Sequence, residues 1–99
     1  MMPQEIFSIA IYEPLPGKAE ESLATMRELL AALSSGGYSR DQLYQDGEQF
    51  VLLRYWKSEE MRRAAQEDPA IQRCWAKLAH EIRIVKVYER LEEALLERR

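Results

Sequence analysis

The sequence predicts an α+β domain of the ferredoxin-like type, a four-stranded antiparallel sheet in βαββαβ order that carries its helices on one face. Three observations lead there. Apolar, β-branched runs recur at residues 6–12, 50–56 and 82–88; two stripes of apolar residues at helical spacing lie between them; and an Asp46-Gly47 turn signal stands just before the middle run.

Each element has its own reason. Residues 5–12 contain Ile6, Phe7, Ile9, Ala10 and Ile11, apolar at both parities, as in a strand covered on both faces. Glu13-Pro14-Leu15-Pro16-Gly17 then removes backbone donors and permits a change of direction, so a loop is expected. Over residues 18–33, Ala19, Leu23, Met26, Leu30 and Leu33 recur at steps of three and four, with Glu20, Glu21 and Glu28 off that stripe. Acidic residues open this helix, where its dipole favours them, and Gly36-Gly37 follow its end as a left-handed cap. Residues 38–45 alternate loosely and pair through Asp46-Gly47 with residues 50–56, whose nearly unbroken apolar character predicts a central strand.

Ser58 is the expected N-cap of a short helix through Met61, Ala64 and Ala65, with Glu59 and Glu60 in its first turn. Asp68-Pro69 restarts the helix, and Ile71, Cys74, Trp75 and Leu78 form its buried stripe. After His80 the period becomes two, and Ile82, Ile84, Val85 and Val87 predict a last strand ending near Tyr88. Residues 89–99 read as a charged helical tail with Leu91, Leu95 and Leu96 on one side, so residues 1–88 form the domain and 89–99 its extension.

One parity of the strands holds Phe7, Ile9, Ile11, Val51, Leu53, Val85 and Val87; the other holds Ile6, Ala10, Phe50, Leu52, Ile82 and Ile84. Helices cover only one face, so the other would be a large wet apolar patch. A two-fold homodimer packed sheet to sheet is the expected solution.

Composition narrows the function. At 99 residues the chain has room for one domain, because chains this short bury only roughly 60–65% of their unfolded surface. A formal charge of −3 argues against nucleic acid or an anionic membrane surface as the main partner. A single cysteine, Cys74, allows no internal disulfide, and neither a transmembrane run nor a secretion signal is read; a cytoplasmic protein is expected. With one His and one Cys no zinc constellation is expected, and no glycine-rich phosphate loop or G-x-S-x-G elbow occurs.

Pro16-Gly17-Lys18-Ala19-Glu20, the run from Phe50 to Trp56 followed by Lys57-Ser58-Glu59-Glu60, and Asp68-Pro69 together resemble the antibiotic biosynthesis monooxygenase (ABM) family over nearly all of residues 6–88. The resemblance implies a dimeric α+β barrel built from ferredoxin-like protomers, each with a small pocket between sheet and helices. It also implies oxidation of a flat aromatic or quinol-type molecule with no cofactor, since some members oxidise polyketide-derived aromatics without metal or flavin. Heme-degrading relatives carry an Asn on the first strand and a Trp and a His in the second helical region. Those places here hold Ala10, Ala65 and Trp75, so heme breakdown is not implied.

Several residues could carry such chemistry. Arg54, mid-strand between Leu53 and Tyr55, must reach solvent, a carboxylate or an anionic ligand, and its charge would stabilise a bound phenolate. His80, the only imidazole, suits proton transfer near neutrality, although its place near a helix C-terminus also suits a purely structural cation. Trp75 and Trp56 could each stack on a flat substrate, with Trp56 reading rather as a core anchor. Tyr12, Tyr44 and Tyr55 each offer a hydroxyl to a phenol or enolate oxygen, as does Tyr38, and Ser8 is a further small polar candidate on the first strand. Cys74, on the buried stripe, reads as a small hydrophobe. The competing reading is a non-catalytic dimeric module that only binds a small ligand or takes part in a stress response.

Overall fold

The computed structural model describes residues 5–94. It comprises β1 (Ile6–Pro14), α1 (Ala19–Ser35), β2 (Ser39–Asp46), β3 (Gln49–Trp56), α2 (Glu59–Gln66), α3 (Pro69–Leu78) and β4 (Ile82–Leu91). The four strands form one antiparallel sheet in the order β2-β3-β1-β4, the ferredoxin-like arrangement, with β3 and β1 in the centre.

The helix starts follow the expected chemistry. Ser58 Oγ accepts from Met61 N at 3.1 Å and Asp68 Oδ1 from Ala70 N at 2.9 Å, so two side chains satisfy N–H groups that have no partner within their own helices. Asp68 is doubly engaged, because Tyr38 Oη donates to its other oxygen at 2.8 Å and ties the end of α1 to the start of α3. After α1 only Gly37 takes a left-handed conformation (φ +70°), whereas Gly36 is right-handed. Gly36 is needed for another reason: a Cβ there would overlap the Tyr38 ring.

The core lies between the sheet and the helices, built from Tyr12, Met26, Leu29, Leu33, Leu52 and Leu78 with Ile71 and Cys74. The stripe of α1 is rotated from the one expected. Leu29 replaces Leu30 at its centre, Ala19 is exposed, and Ser22 and Thr25 are buried. Both hydroxyls escape the desolvation cost by donating back to the helix, Ser22 Oγ to Ala19 O and Thr25 Oγ1 to Glu21 O, which hid them from a reading based on polarity. Trp75 also departs from expectation. It is 38% exposed, while Ile71, Cys74 and Leu78 alone form the buried stripe of α3.

Three strand boundaries differ. β1 runs on through Pro14, which pairs with Ile82 and, at the end of its strand, can do without an N–H. The hairpin pairs Asp46 with Gln49, so its turn residues are Gly47-Glu48 rather than Asp46-Gly47. β4 continues to Leu91, past the Tyr88 limit, so residues 89–91 are strand and not the start of a helical tail; Leu95 and Leu96 lie outside the described residues. β4 also carries two register shifts against β1, one of which leaves Val85 as an extra residue between the Tyr12–Ile84 and Ile11–Lys86 pairs. The shift re-aims the strand. Ile84 and Val87 both share the helix-side face, so Val87 does not join Phe7 and Ile9 as its parity had suggested.

The face without helices carries Phe7, Ile9, Ile11, Val51, Leu53 and Tyr55, all partly exposed. Phe7 and Tyr55 stack there with ring centroids 4.6 Å apart, and the Arg40 guanidinium lies 4.1 Å from the Tyr55 ring centroid.

Tyr12 is the most costly member of the core. Its ring stacks on Phe50, it is 1% exposed, and its hydroxyl is buried without a partner. Burial pushes its pKa up from 10.0 to about 12. The folded state therefore holds the proton more tightly than the unfolded chain, and stability that is fully present below pH 10 is lost as pH rises toward 12. Tyr12→Phe is expected to be neutral or stabilising by about 1 kcal/mol at pH 7. Its advantage over wild type should grow by about 1.4 kcal/mol per pH unit above pH 10, measured by urea unfolding. A constant difference between pH 8 and 11.5 would show that the hydroxyl is not desolvated.

Candidate functional site

A cavity of about 320 Å³ opens between the sheet and the second helical region. The sheet supplies its floor: Ser8 and Ala10 from β1, Leu52, Arg54 and Trp56 from β3, Ile84, Val87 and Glu89 from β4. α2 contributes Arg62 and α3 contributes Trp75. The sequence dictates this placement, because even-numbered residues of β1 and β3 share the helix-side face and no helix seals β4, whose residues 83–90 are exposed throughout.

Arg54 is the polar centre of the site. It is buried, its Nε donates to Asp41 on the neighbouring strand, and its guanidinium carbon lies 5.2 Å from the Trp56 ring centroid. Asp41 is fixed in turn by Ser39 Oγ, which donates to it at 2.7 Å. One end of the fork remains unused: Nη2 is buried and has no acceptor. A planar cation with an unfilled donor is suited to an oxyanion, because a ligand oxygen would supply the bond that is missing.

The structure brings together Arg54, Ser8 and Trp75 of the candidates expected from sequence. Tyr12 lies in the core beneath α1, Tyr55 stacks on Phe7 on the opposite face, and Tyr44 is 55% exposed on the edge strand β2. His80 is exposed in the turn after α3 and does not line the cavity. Sequence reasoning missed Arg62 and Glu89 and favoured the core over substrate stacking for Trp56. Arg62 could have been found from its spacing of three before the buried Ala65, which puts it on the inner side of α2. Glu89 had no such signal, since only the register shifts of β4 bring it round. Glu59 braces this rim, accepting from Arg62 at 3.1 Å and from Arg90 at 2.9 Å, and these cations hold its carboxyl below the usual range.

Among the described residues no cluster of three or more metal-ligating side chains occurs, and no helix is long and apolar enough to cross a membrane. No protein-family model matches the sequence, and no curated protein matches it. Solved structures do. A protein from Bacteroides thetaiotaomicron VPI-5482, provisionally assigned as an antibiotic biosynthesis monooxygenase, superposes with a TM-score of 0.81 at 9% identity, covering 97% of each chain. A provisionally assigned counterpart from Chloroflexus aurantiacus J-10-fl gives 0.77 at 18% identity, over 95% of this chain and 98% of that one. The chain has the ABM fold. SnoaB from Streptomyces nogalater, a cofactor-independent oxygenase, shares it with a TM-score of 0.76 at 12% identity, over 92% of this chain and 97% of its own. At these identities the likeness to ABM proteins is one of backbone, and the chemistry has to be argued from the side chains of this cavity.

Proposed function

We propose that this ABM-fold protein is a cofactor-independent monooxygenase acting on a small, flat, largely apolar aromatic or quinol-type molecule in the cavity between sheet and helices. The observation that carries this reading is the buried Arg54, with an unfilled donor, in the wall of an otherwise largely apolar cavity flanked by Trp56 and Trp75. A phenolate or enolate loses its water on entering such a site, and a fixed guanidinium compensates. An electron-rich carbanion or enolate can give electrons to dioxygen directly. For an anthrone-type substrate one O₂ is consumed per CH₂ converted to C=O, and the second oxygen leaves with both hydrogens as water. Glu89, the carboxylate lining the cavity, is our candidate for the proton acceptor. The shared fold with SnoaB supports the reaction class. We read the assembly as a homodimer closed over the open sheet face, with a small molecule as the other partner.

A second reading has its own support. The Arg54–Asp41 ion pair is what a merely structural arginine would make, and it favours a module that binds without turnover.

Oxygen-electrode measurements with a panel of anthrones and quinols separate the two. Uptake is expected, at one O₂ per anthrone. Arg54→Lys keeps a cation opposite Asp41 but lacks the fork, and should lower kcat/KM about 10–100-fold. Ligand binding with no uptake across the panel would favour the non-catalytic module, and unchanged kinetics in Arg54→Lys would remove Arg54 from the reaction.

A further inference from the structure

A second cavity of about 290 Å³ adjoins the first, lined by Trp75, Leu78, Ala79, Ile82 and Ile84, with no charged side chain among them. Trp75 and Ile84 line both cavities and so form a sill between them. Both are exposed, Trp75 at 38% and Ile84 at 45%, as is Val87 at 46% on the first cavity's side. The two spaces are chemically graded. At one end stands Arg54, with a side chain 91% buried and an Nη2 lacking an acceptor; at the other the walls are apolar. Arg62 adds a second cation to the lining, and Glu89 is the acidic side chain among the lining residues, with Asp41 paired to Arg54 behind the wall and Glu59 to Arg62.

We propose that the occupant is an anionic amphiphile, whose acidic oxygen meets Arg54 and whose apolar chain crosses the Trp75–Ile84 sill into the second cavity. Three features support one elongated ligand rather than a compact ring alone. The orphan donor calls for an anionic oxygen at a fixed end, the exposed apolar side chains of Val87, Ile84 and Trp75 lead from the first cavity to the second, and no charged side chain lines the second cavity. For an oxidisable substrate this means a phenol, quinol or enol bearing an alkyl or prenyl-like chain. The inference rests on the first cavity being the binding site, as in the reading above, but not on oxygen being consumed.

Straight-chain carboxylates, which cannot act as quinols, make the test independent of turnover. Titration of the full-length protein with the series from hexanoate to dodecanoate, by calorimetry below the micellar range, should show affinity rising about two- to fourfold per methylene and then levelling once the second cavity is filled. The matching alcohols should bind at least about tenfold more weakly, for want of the charge-assisted bond. Ala79→Trp, at an exposed position lining the second cavity only, should abolish the chain-length gain while leaving the shortest acid unaffected; Ile84→Gln, at the sill shared with the first cavity, should flatten the chain-length gain as well. Flat affinity along the series, or alcohols binding as well as acids, would overturn the proposal. A chain-length gain that survives both substitutions would also overturn it and place the chain elsewhere, on the open sheet face. Graded binding without oxygen uptake by any chain-bearing quinol would retain the ligand class and defeat the monooxygenase reading alone.

Discussion

Asp41→Ala is expected to lower the folding free energy by about 3–5 kcal/mol, which for a domain of this size is a large part of the total. The carboxylate and the Arg54 guanidinium are both buried, with side chains 4% and 9% exposed, so removing one leaves the other as an uncompensated charge in a poorly solvated place. The double substitution Asp41→Leu with Arg54→Met removes both charges and should recover most of the loss, since replacing a buried pair by apolar groups is often neutral or stabilising. Urea unfolding of the wild type and the two variants checks this. If the double variant is no more stable than Asp41→Ala, the loss lies in packing and not in the stranded cation. A recovered fold with no ligand affinity would mean that the pair is retained for binding at no gain in stability.

Leu53→Lys is expected to separate the subunits. In sedimentation equilibrium the wild-type protein should run at twice 11.6 kDa and the variant at 11.6 kDa. Leu53 lies in the centre of the open face, partly exposed in the single chain, so a lysine there can lift its ammonium into water and the protomer still folds. Across a sheet-to-sheet interface the same ammonium would be buried without a partner, at roughly 3–5 kcal/mol, or two to four orders of magnitude in the dimer Kd. A wild-type protein that sediments as 11.6 kDa at micromolar concentration would refute the assembly outright.

The legible and illegible parts of this molecule divide along physical lines. Strands and helices were readable because their signals are local: Ser58 and Asp68-Pro69 as caps, apolar runs at β1 and β3, and a turn at Gly47. Arg54 stood out because a charge in the middle of an apolar strand must find a partner. Its partner did not, and the reason is a single residue of register. With Asp46-Gly47 as the turn residues Asp41 would oppose Leu52; with Gly47-Glu48 it opposes Arg54. Trp75 could be read both as a member of the buried stripe and as a ligand residue, because a stripe of period 3.6 cannot tell which of two adjacent apolar positions meets a neighbour and which meets a void. Glu89 was unreadable in principle from alternation, since strand parity is preserved only where pairing is regular.

The extra residue at Val85 carries a wider implication for how such pockets diversify. Upstream of it, even-numbered side chains of the last strand look toward the helices; beyond it, Val87 and Glu89 do. Duplicating one codon just after Val85 would exchange Val87 and Glu89 for Lys86 and Tyr88 as the lining, while leaving the hydrogen-bonded ladder largely in place. An edge ribbon that tolerates such a slip lets a lineage swap an acid for a phenol beside the same arginine in one mutational step, without redesigning the scaffold.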